Sequence, residues 1–290
     1  MGVAVQSHYF QVGPVVPWVL AGVGAVATQS HLNISFGPLG LEYMRAGYPA
    51  GRALQALLAG DDRPEMRQLS LVDANGNVAT HTGDKCIPAA GHRTGDGFSC
   101  QANLMEKDTV WGAMFEAYTS AKGPLAERML AALDAAEAEG GDIRGKQSAA
   151  MVVVRGNASG RSWEDRVIDL RVEDSPEPLK ELRRLLHVKR AYMHDDEAER
   201  LEVAGDVEAA VKLRMEAADR APELVELSFW AGLDTAKLGD LDRGCLLISR
   251  AVAEEPRWIE TLTRLAAVDW IPRELADQIR ERLAATAKRR

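Results

Sequence analysis

The sequence predicts an α+β fold followed by an all-α region, and three observations lead there. Residues 1–175 alternate short β-type runs with helical blocks, and the runs are joined by hairpin-type turns instead of helical crossovers. That order favours an antiparallel layered domain over a parallel βαβ sheet. Residues 174–178, "DSPEP", are a polar, proline-bearing linker, after which every run has helical spacing. Finally, the second half repeats itself at a shift of 34, which places Gly205-Asp206 on Gly239-Asp240, Leu213 on Leu247, Ala217 on Ala251 and Pro222 on Pro256. Two domains are expected, residues 1–175 and residues 176–290.

"GVAVQ" opens the chain as a strand. "VGPVVPWVL" carries Pro14 and Pro17, and proline removes the donors that a central strand needs, so none is expected there. "AGVGAVATQS" contains Gly22-x-Gly24-x-x-Ala27, the spacing of a dinucleotide-binding turn. Such a turn requires a strand before it and a helix after it. The prolines and the strand-like Thr28-Gln29-Ser30 supply neither, so the glycines are expected to permit close packing of a strand. Residues 40–59 and 110–139 show helical spacing, the second block divided at Gly123-Pro124. In "RQLSLVDANGNVATHTG", strand-like residues 69–73 and 78–80 flank Asn75-Gly76, a dipeptide suited to a tight hairpin turn. "GFSCQAN" adds another strand, and "SAAMVVVRG" and "DRVIDLRVED" form a pair around the turn-rich "NASGRSWE". The continuous apolar run 152–154 fits a strand covered on both faces. Two sheets between helix layers satisfy this order.

The period of 34 is that of a tetratricopeptide repeat. Ala217 and Ala251 let helices approach, Gly205 and Gly239 permit the turn between them, and Pro222 and Pro256 end the second helix of each unit. The consensus positions of the first helices are replaced by His194, Glu197 and Ala198, then by Ser228, Ala231 and Gly232. Residues 258–287 are expected to cap the array.

Composition excludes several classes. The net charge is -8 and only the terminal "AKRR" is basic, so no nucleic-acid partner is expected. Cys86, Cys100 and Cys245 are too widely spaced for a disulfide framework, which fits a reducing cytoplasm. Cys86, His92 and Cys100 match no common zinc spacing, and neither a metal nor a cofactor is expected. The most apolar run, residues 12–27, holds two prolines and three glycines, is too short to span a bilayer and lacks a basic leader. A soluble cytoplasmic protein with no membrane partner is the expectation.

"GVAVQSHYFQVGPVVPW", "AGVGAVATQS", "FGPLGLEYMRAG", "HTGDKCIPAAGHRTGDGFSCQANLM" and "GGDIRGKQSAAMVVVRG" occur here in an order that resembles a known family. It is the bacterial and archaeal domain of unknown function 1028, similar to the N-terminal nucleophile (Ntn) hydrolases, and the resemblance covers residues 2–190. It implies a four-layer αββα sandwich but no established substrate. Some family members carry a C-terminal segment described as peptidoglycan-binding, whereas the repeat here reads more naturally as a helical protein-binding surface. Family chains begin one strand and one turn earlier, commonly with Thr or Ser after the initiator methionine, while this sequence opens Met1-Gly2. An Ntn enzyme uses one residue as both nucleophile and base, and Gly2 has no side chain with which to attack. Either the reading frame begins upstream or the protein lacks the standard machinery, and the fit of the remaining motifs favours an upstream start.

The catalytic candidates are Ser7, His8, Thr28 and His92. Ser7-His8 lies just past the first strand, His92 lies in the glycine-flanked "AGHRTGDG", and a histidine moves protons near neutral pH. Thr28-Gln29-Ser30 and Gln101-Ala102-Asn103 end two strands, where Gln29 or Asn103 can orient an amide or donate to an oxyanion. Asp142-x-Arg144-Gly145-x-Gln147-Ser148 joins a long helix to the next strand. Arg144 can hold a substrate carboxylate through two parallel hydrogen bonds, or pair with Asp142 to order its own loop. The substrate-binding candidates are thus Gln29, Ser30, Gln101, Asn103, Asp142, Arg144, Gln147 and Ser148. The expected activity is an Ntn-hydrolase-like amidohydrolase acting on a small amide or peptide-like metabolite. The competing expectation is a non-catalytic ligand-binding or scaffolding protein that binds a protein partner through its helical repeats. In either case self-association into a homo-oligomer is expected.

Overall fold

Period-2 alternation at the start of the chain produces β1 (Gly2–Ser7). It is followed by a hairpin of β2 (Pro17–Leu20) and β3 (Gly24–Ser30). The strand expectation for "VGPVVPWVL" is corrected here, since β2 does form. It survives because Pro17 is its first residue and it lies at the edge of its sheet, where a missing N–H costs no ladder bond. The glycine motif still makes no phosphate turn, because strand β3 and not a helix follows it. A Cβ on Gly24 would lie 2.7 Å from the Val72 carbonyl and against Met44, so this glycine permits close packing of the strand.

The block 40–59 divides into α1 (Phe36–Arg45) and α2 (Ala50–Ala59), with Pro49 at the N-cap of the second. Next come β4 (Arg67–Asp73) and β5 (Val78–Thr82), turning through Asn75-Gly76. The Asp73 carboxylate pins this turn by accepting from the backbone N–H groups of Asn75 and Asn77 at 2.9 and 3.0 Å. A short hairpin, β6 (Gly91–Gly95) with β7 (Phe98–Ala102), follows, so the glycine-flanked histidine segment is strand. Helices α3 (Val110–Ser120) and α4 (Leu125–Ala138) break at Gly123-Pro124. β8 (Ser148–Val154), the single turn α5 (Ser162–Asp165) and β9 (Arg166–Val172) complete this part.

The computed structural model describes residues 1–287. The chain divides into one unit from Met1 to Leu185 and a second from Leu186 onward, the two meeting within α6 (Pro178–Val203). In the first unit, one antiparallel sheet has the order β1-β8-β9 and the other β2-β3-β4-β5. Val3 and Val5 of β1, with Val152 and Ala150 of β8, meet Val19, Ala25 and Ala27 of the second sheet to form the inter-sheet core. Helices α1 and α2 cover the outer face of the second sheet through Leu41, Met44, Leu54 and Leu57 on Val26, Leu69 and Leu71. Helix α4 lies on the outer face of β1, and α3 packs on α4 and on the β6–β7 hairpin. The layering is therefore αββα, within an α+β chain.

The second unit continues with α7 (Val207–Arg220), α8 (Val225–Lys237), α9 (Leu241–Glu254), α10 (Trp258–Ala267) and α11 (Arg273–Ala287). The 34-residue recurrence has a physical counterpart. Gly205 and Gly239 both take positive φ, +90° and +96°, directly before the caps Asp206 and Asp240. Each carboxylate accepts from the backbone N–H three residues on, at 3.2 Å from Ala209 and 3.0 Å from Arg243. Ala217 and Ala251, at equivalent positions, are both 0% exposed. Arg214 lies nearly buried among Asp195, Glu202 and Asp234. Burial alone would depress its pKa, but the attraction of Asp234 and Glu202 reverses this and leaves it raised.

Candidate functional site

Strand β1 is an edge, and its free side lines a cavity of about 510 Å³ enclosed by the two sheets and α4. The alternation of an antiparallel ladder fixes which backbone groups face that space. Met1 and Val154 exchange both hydrogen bonds, at 2.9 and 2.8 Å. Given the register Val3↔Val152 and Val5↔Ala150, the odd residues bond to β8, and the N–H and C=O groups of Gly2, Ala4 and Gln6 turn to the cavity. None of these six groups has a partner among the described residues. The next group in the series, the His8 N–H, is satisfied by Asp142 Oδ2 at 3.3 Å.

The two ends of the cavity differ in chemistry. Toward Met1 it is lined by Phe98, Tyr118, Leu125 and Met129; toward Ser7 it gathers Gln29, Ser30, Asn103, Asp142 and Arg144. At the polar end, buried Gln68 of β4 is the hub. Its Oε1 accepts from Gln29 Nε2 at 2.8 Å and Asn103 Nδ2 at 3.1 Å. Its Nε2 donates toward Ala102 O, Thr82 Oγ1 and Gly91 O, at 2.9, 2.9 and 3.2 Å, tying β4 to β5, β6 and β7. Both Gln29 and Asn103 are thereby fixed at the polar end.

Asp142 is the electrostatic counterpart. Its side chain is 3% exposed and pairs with Arg144 through Oδ1 to Nε at 3.0 Å and Oδ2 to Nη2 at 2.7 Å. Burial alone would raise its pKa. The Arg144 guanidinium and the backbone N–H groups of Arg144 and His8 outweigh that and hold the carboxyl below the ordinary range. Two non-glycine residues that line the cavity, Ser30 (φ +67°) and Leu104 (φ +60°), occupy the left-handed region, where strain is typically retained for function. Cys100 also lines the cavity, but burial pushes its thiol up to about 12, so it carries no thiolate at neutral pH.

The structure brings together Ser7, Gln29, Ser30, Gln101, Asn103, Asp142 and Arg144 around this one space. The other candidates lie elsewhere. Thr28 is 1% exposed and donates to the Asn33 carbonyl at 3.2 Å. Ser148 is fully buried, accepting from the Val12 N–H at 3.1 Å and donating to the Tyr9 carbonyl, which anchors the β1 exit loop. Gln147 donates to Asp174 at 3.2 Å on an exposed surface. His8 is outside the cavity lining, with its ring beside Gly145. His92 sits in a separate hollow with Trp111 and bonds Thr82 Oγ1 at 2.8 Å; burial and then His81 lower its pKa. Gln68 and Gln6 are the site residues that the sequence reading passed over. The signal for Gln68 was its place with Ser70 on the face of β4 opposite Leu69 and Leu71.

The Met1 amine is bonded to Val154, at the apolar end, and burial lowers its pKa. Six strand intervals of about 3.3 Å separate it from Ser7, roughly 20 Å.

Among solved structures, the chain is similar to protein SPO2555 from Silicibacter pomeroyi, described as carrying the DUF1028 family. The identity is 28% and the TM-score 0.57, over 64% of this chain and 78% of that one. No curated protein matches. The family of unknown function DUF1028 matches residues 1–182, all of it within the layered unit that holds the cavity. The chain belongs to the DUF1028 family.

Proposed function

We propose that the layered unit is an Ntn-hydrolase-like amidohydrolase that cleaves a small amide or peptide-like molecule in the cavity beside β1. The observation that carries this reading is the concentration of amide, hydroxyl and guanidinium groups at one end of a mainly apolar cavity. A primary amide nitrogen has two donors, so Asn103 keeps one for a substrate oxygen after bonding Gln68. Arg144 donates to Asp142 through Nε and Nη2, which leaves Nη1 for an anionic group on the substrate. In this reading a hydroxyl of the polar end, Ser7 or Ser30, attacks the amide carbon. The amine leaves with a proton, and water releases the acid from the acyl ester. Hydrolysis by the purified full chain across a panel of amides, lactams and dipeptides tests the proposal. Turnover lost in Asn103→Ala and Arg144→Ala is the expected result, and no turnover on any of the panel opposes it.

The helical unit supports a second role, because its recurrent caps and turns are those of tetratricopeptide-like repeats, which present surface to protein partners. A partner retained by variants at His8, His92 and Arg144 but lost with residues 190–290 favours scaffolding over catalysis. We further propose a cytoplasmic homo-oligomer, which light scattering on the full chain tests. No helix among the described residues is long and apolar enough to cross a membrane.

A further inference from the structure

A second hollow, of about 400 Å³, lies beside the β6–β7 hairpin. Its lining comes from residues between 82 and 92 and from Trp111 of α3, and no residue of β1 takes part. The histidine in it is held by a buried hydrogen-bond chain. Gln68, 0% exposed, turns its Nε2 to the backbone carbonyls of Gly91 and Ala102, which only accept, so this nitrogen is fixed as a donor. Thr82 Oγ1, at 2.9 Å, therefore accepts from it. The Thr82 hydroxyl proton is left for His92 Nδ1 at 2.8 Å, the other contact of that hydroxyl among the described residues. Neutral His92 then carries its own proton on Nε2, as an N–H donor with no partner among the described residues. Burial, and then His81, lowers its pKa, which keeps the ring neutral at pH 7.

Two further groups complete the hollow. A Cβ on Gly91 would lie 2.5 Å from the Trp111 indole, so the missing side chain lets this ring lie directly against β6. The Asp84 side chain is exposed, and its carboxylate has no partner among the described residues. A donor, an acceptor and a flat apolar face thus share one space. We propose that the hollow binds an uncharged carboxamide, whose oxygen accepts from His92 Nε2, whose N–H donates to Asp84 and whose plane lies along Trp111. The charged relatives of that group fit less well. A carboxylate would meet the like charge of Asp84 and gain no ion pair from a neutral imidazole. An ammonium group would set a donor against the His92 N–H. Cys86 adds no ligand for a cation, since its thiol donates to the Arg67 carbonyl at 3.3 Å. No group of three His, Cys, Asp or Glu side chains suited to a metal occurs among the described residues. The hollow stands apart from the hydrolase reading, which uses none of its residues.

The test uses the full chain and three ligands of similar size, benzamide, benzoate and benzylamine, each titrated at pH 7 and followed by ligand-observed NMR. Saturable binding of benzamide is expected, with benzoate and benzylamine at least about tenfold weaker, the equivalent of one misplaced hydrogen bond. This comparison needs no variant to fold. His92→Phe keeps a ring but removes the donor, and should weaken benzamide about tenfold. Asp84→Asn removes the charge, and should narrow the preference for benzamide over benzoate by at least about threefold. Asn103→Ala, in the other cavity, should leave benzamide binding within about twofold of wild type. Benzoate or benzylamine bound as tightly as benzamide, no saturation up to the solubility of benzamide, or binding unchanged in His92→Phe would each overturn the proposal. Binding lost in Asn103→Ala but kept in His92→Phe would place the amide at the polar end of the β1 cavity, which opposes the hollow and favours the hydrolase. Benzamide held at His92 with no amide cleaved does the reverse.

Discussion

Replacing Asp142 by Asn removes one charge and one acceptor while keeping the size of the side chain. In the protein, Oδ1 accepts from the backbone N–H and Nε of Arg144, both at 3.0 Å, and Oδ2 from Arg144 Nη2 at 2.7 Å and the His8 N–H at 3.3 Å. An asparagine oxygen can keep the first pair, but its amide nitrogen then faces two donors in place of an acceptor. Loss of the His8 bond with its donor left open costs roughly 1–2 kcal/mol. Arg144 is 43% exposed, so solvent screening holds its part to at most about 1 kcal/mol. A loss of about 2 kcal/mol at pH 7 is the expectation. Because the folded-state pKa of Asp142 is depressed, its contribution is present above the unfolded value near 4 and is lost as pH falls through the folded value. The gap between wild type and Asp142→Asn must therefore shrink in acid. Urea unfolding read by hydrogen-exchange mass spectrometry, which separates peptides of the two units, measures it. A gap unchanged between neutral pH and pH values below the folded pKa would refute the reasoning, and so would a gap near zero at pH 7.

The other predictions rest on equally local features. Gln68→Leu strips partners from the Ala102 and Gly91 carbonyls and releases Gln29 and Asn103, so a loss of roughly 3 kcal/mol is expected, read as faster exchange of the β4 and β7 amides. Asp206→Ala and Asp240→Ala should each cost about 1 kcal/mol, with similar effects because the two caps share one geometry; exchange at the N-termini of α7 and α9 reports both. Cys100, with its thiol pushed up to about 12, should stay unalkylated by iodoacetamide at pH 8 until urea unfolds the layered unit, as peptide masses will show.

Much of the fold was written in local pattern. The Asn75-Gly76 hairpin, the break at Gly123-Pro124 and the apolar run of β8 each depend on residues near one another in sequence, and each formed as read. β2 was missed because proline was weighed as though the strand were central, and edge position is a tertiary fact. The β6 hairpin was hidden by the glycines flanking His92. Within the site, strand-end amides such as Gln29 and Asn103 were legible as polar endings to β runs. The hub that positions them was not, since Gln68 acquires its role only when β4, β5, β6 and β7 converge. The same holds for Ser148 and Thr28. Their hydroxyls resemble site groups in sequence, but in the fold they bond to backbone atoms of neighbouring loops.

The central claim is that a hydroxyl at the polar end of the β1 cavity attacks amide carbonyls. A β-lactone, which opens on an activated hydroxyl to leave a stable ester, tests it most directly when incubated with the full chain and followed by peptide mapping. The account predicts a single adduct on Ser7 or Ser30, reduced in Asn103→Ala and Arg144→Ala. No adduct, or one on Thr28, Ser148 or a hydroxyl of the helical unit, would contradict it.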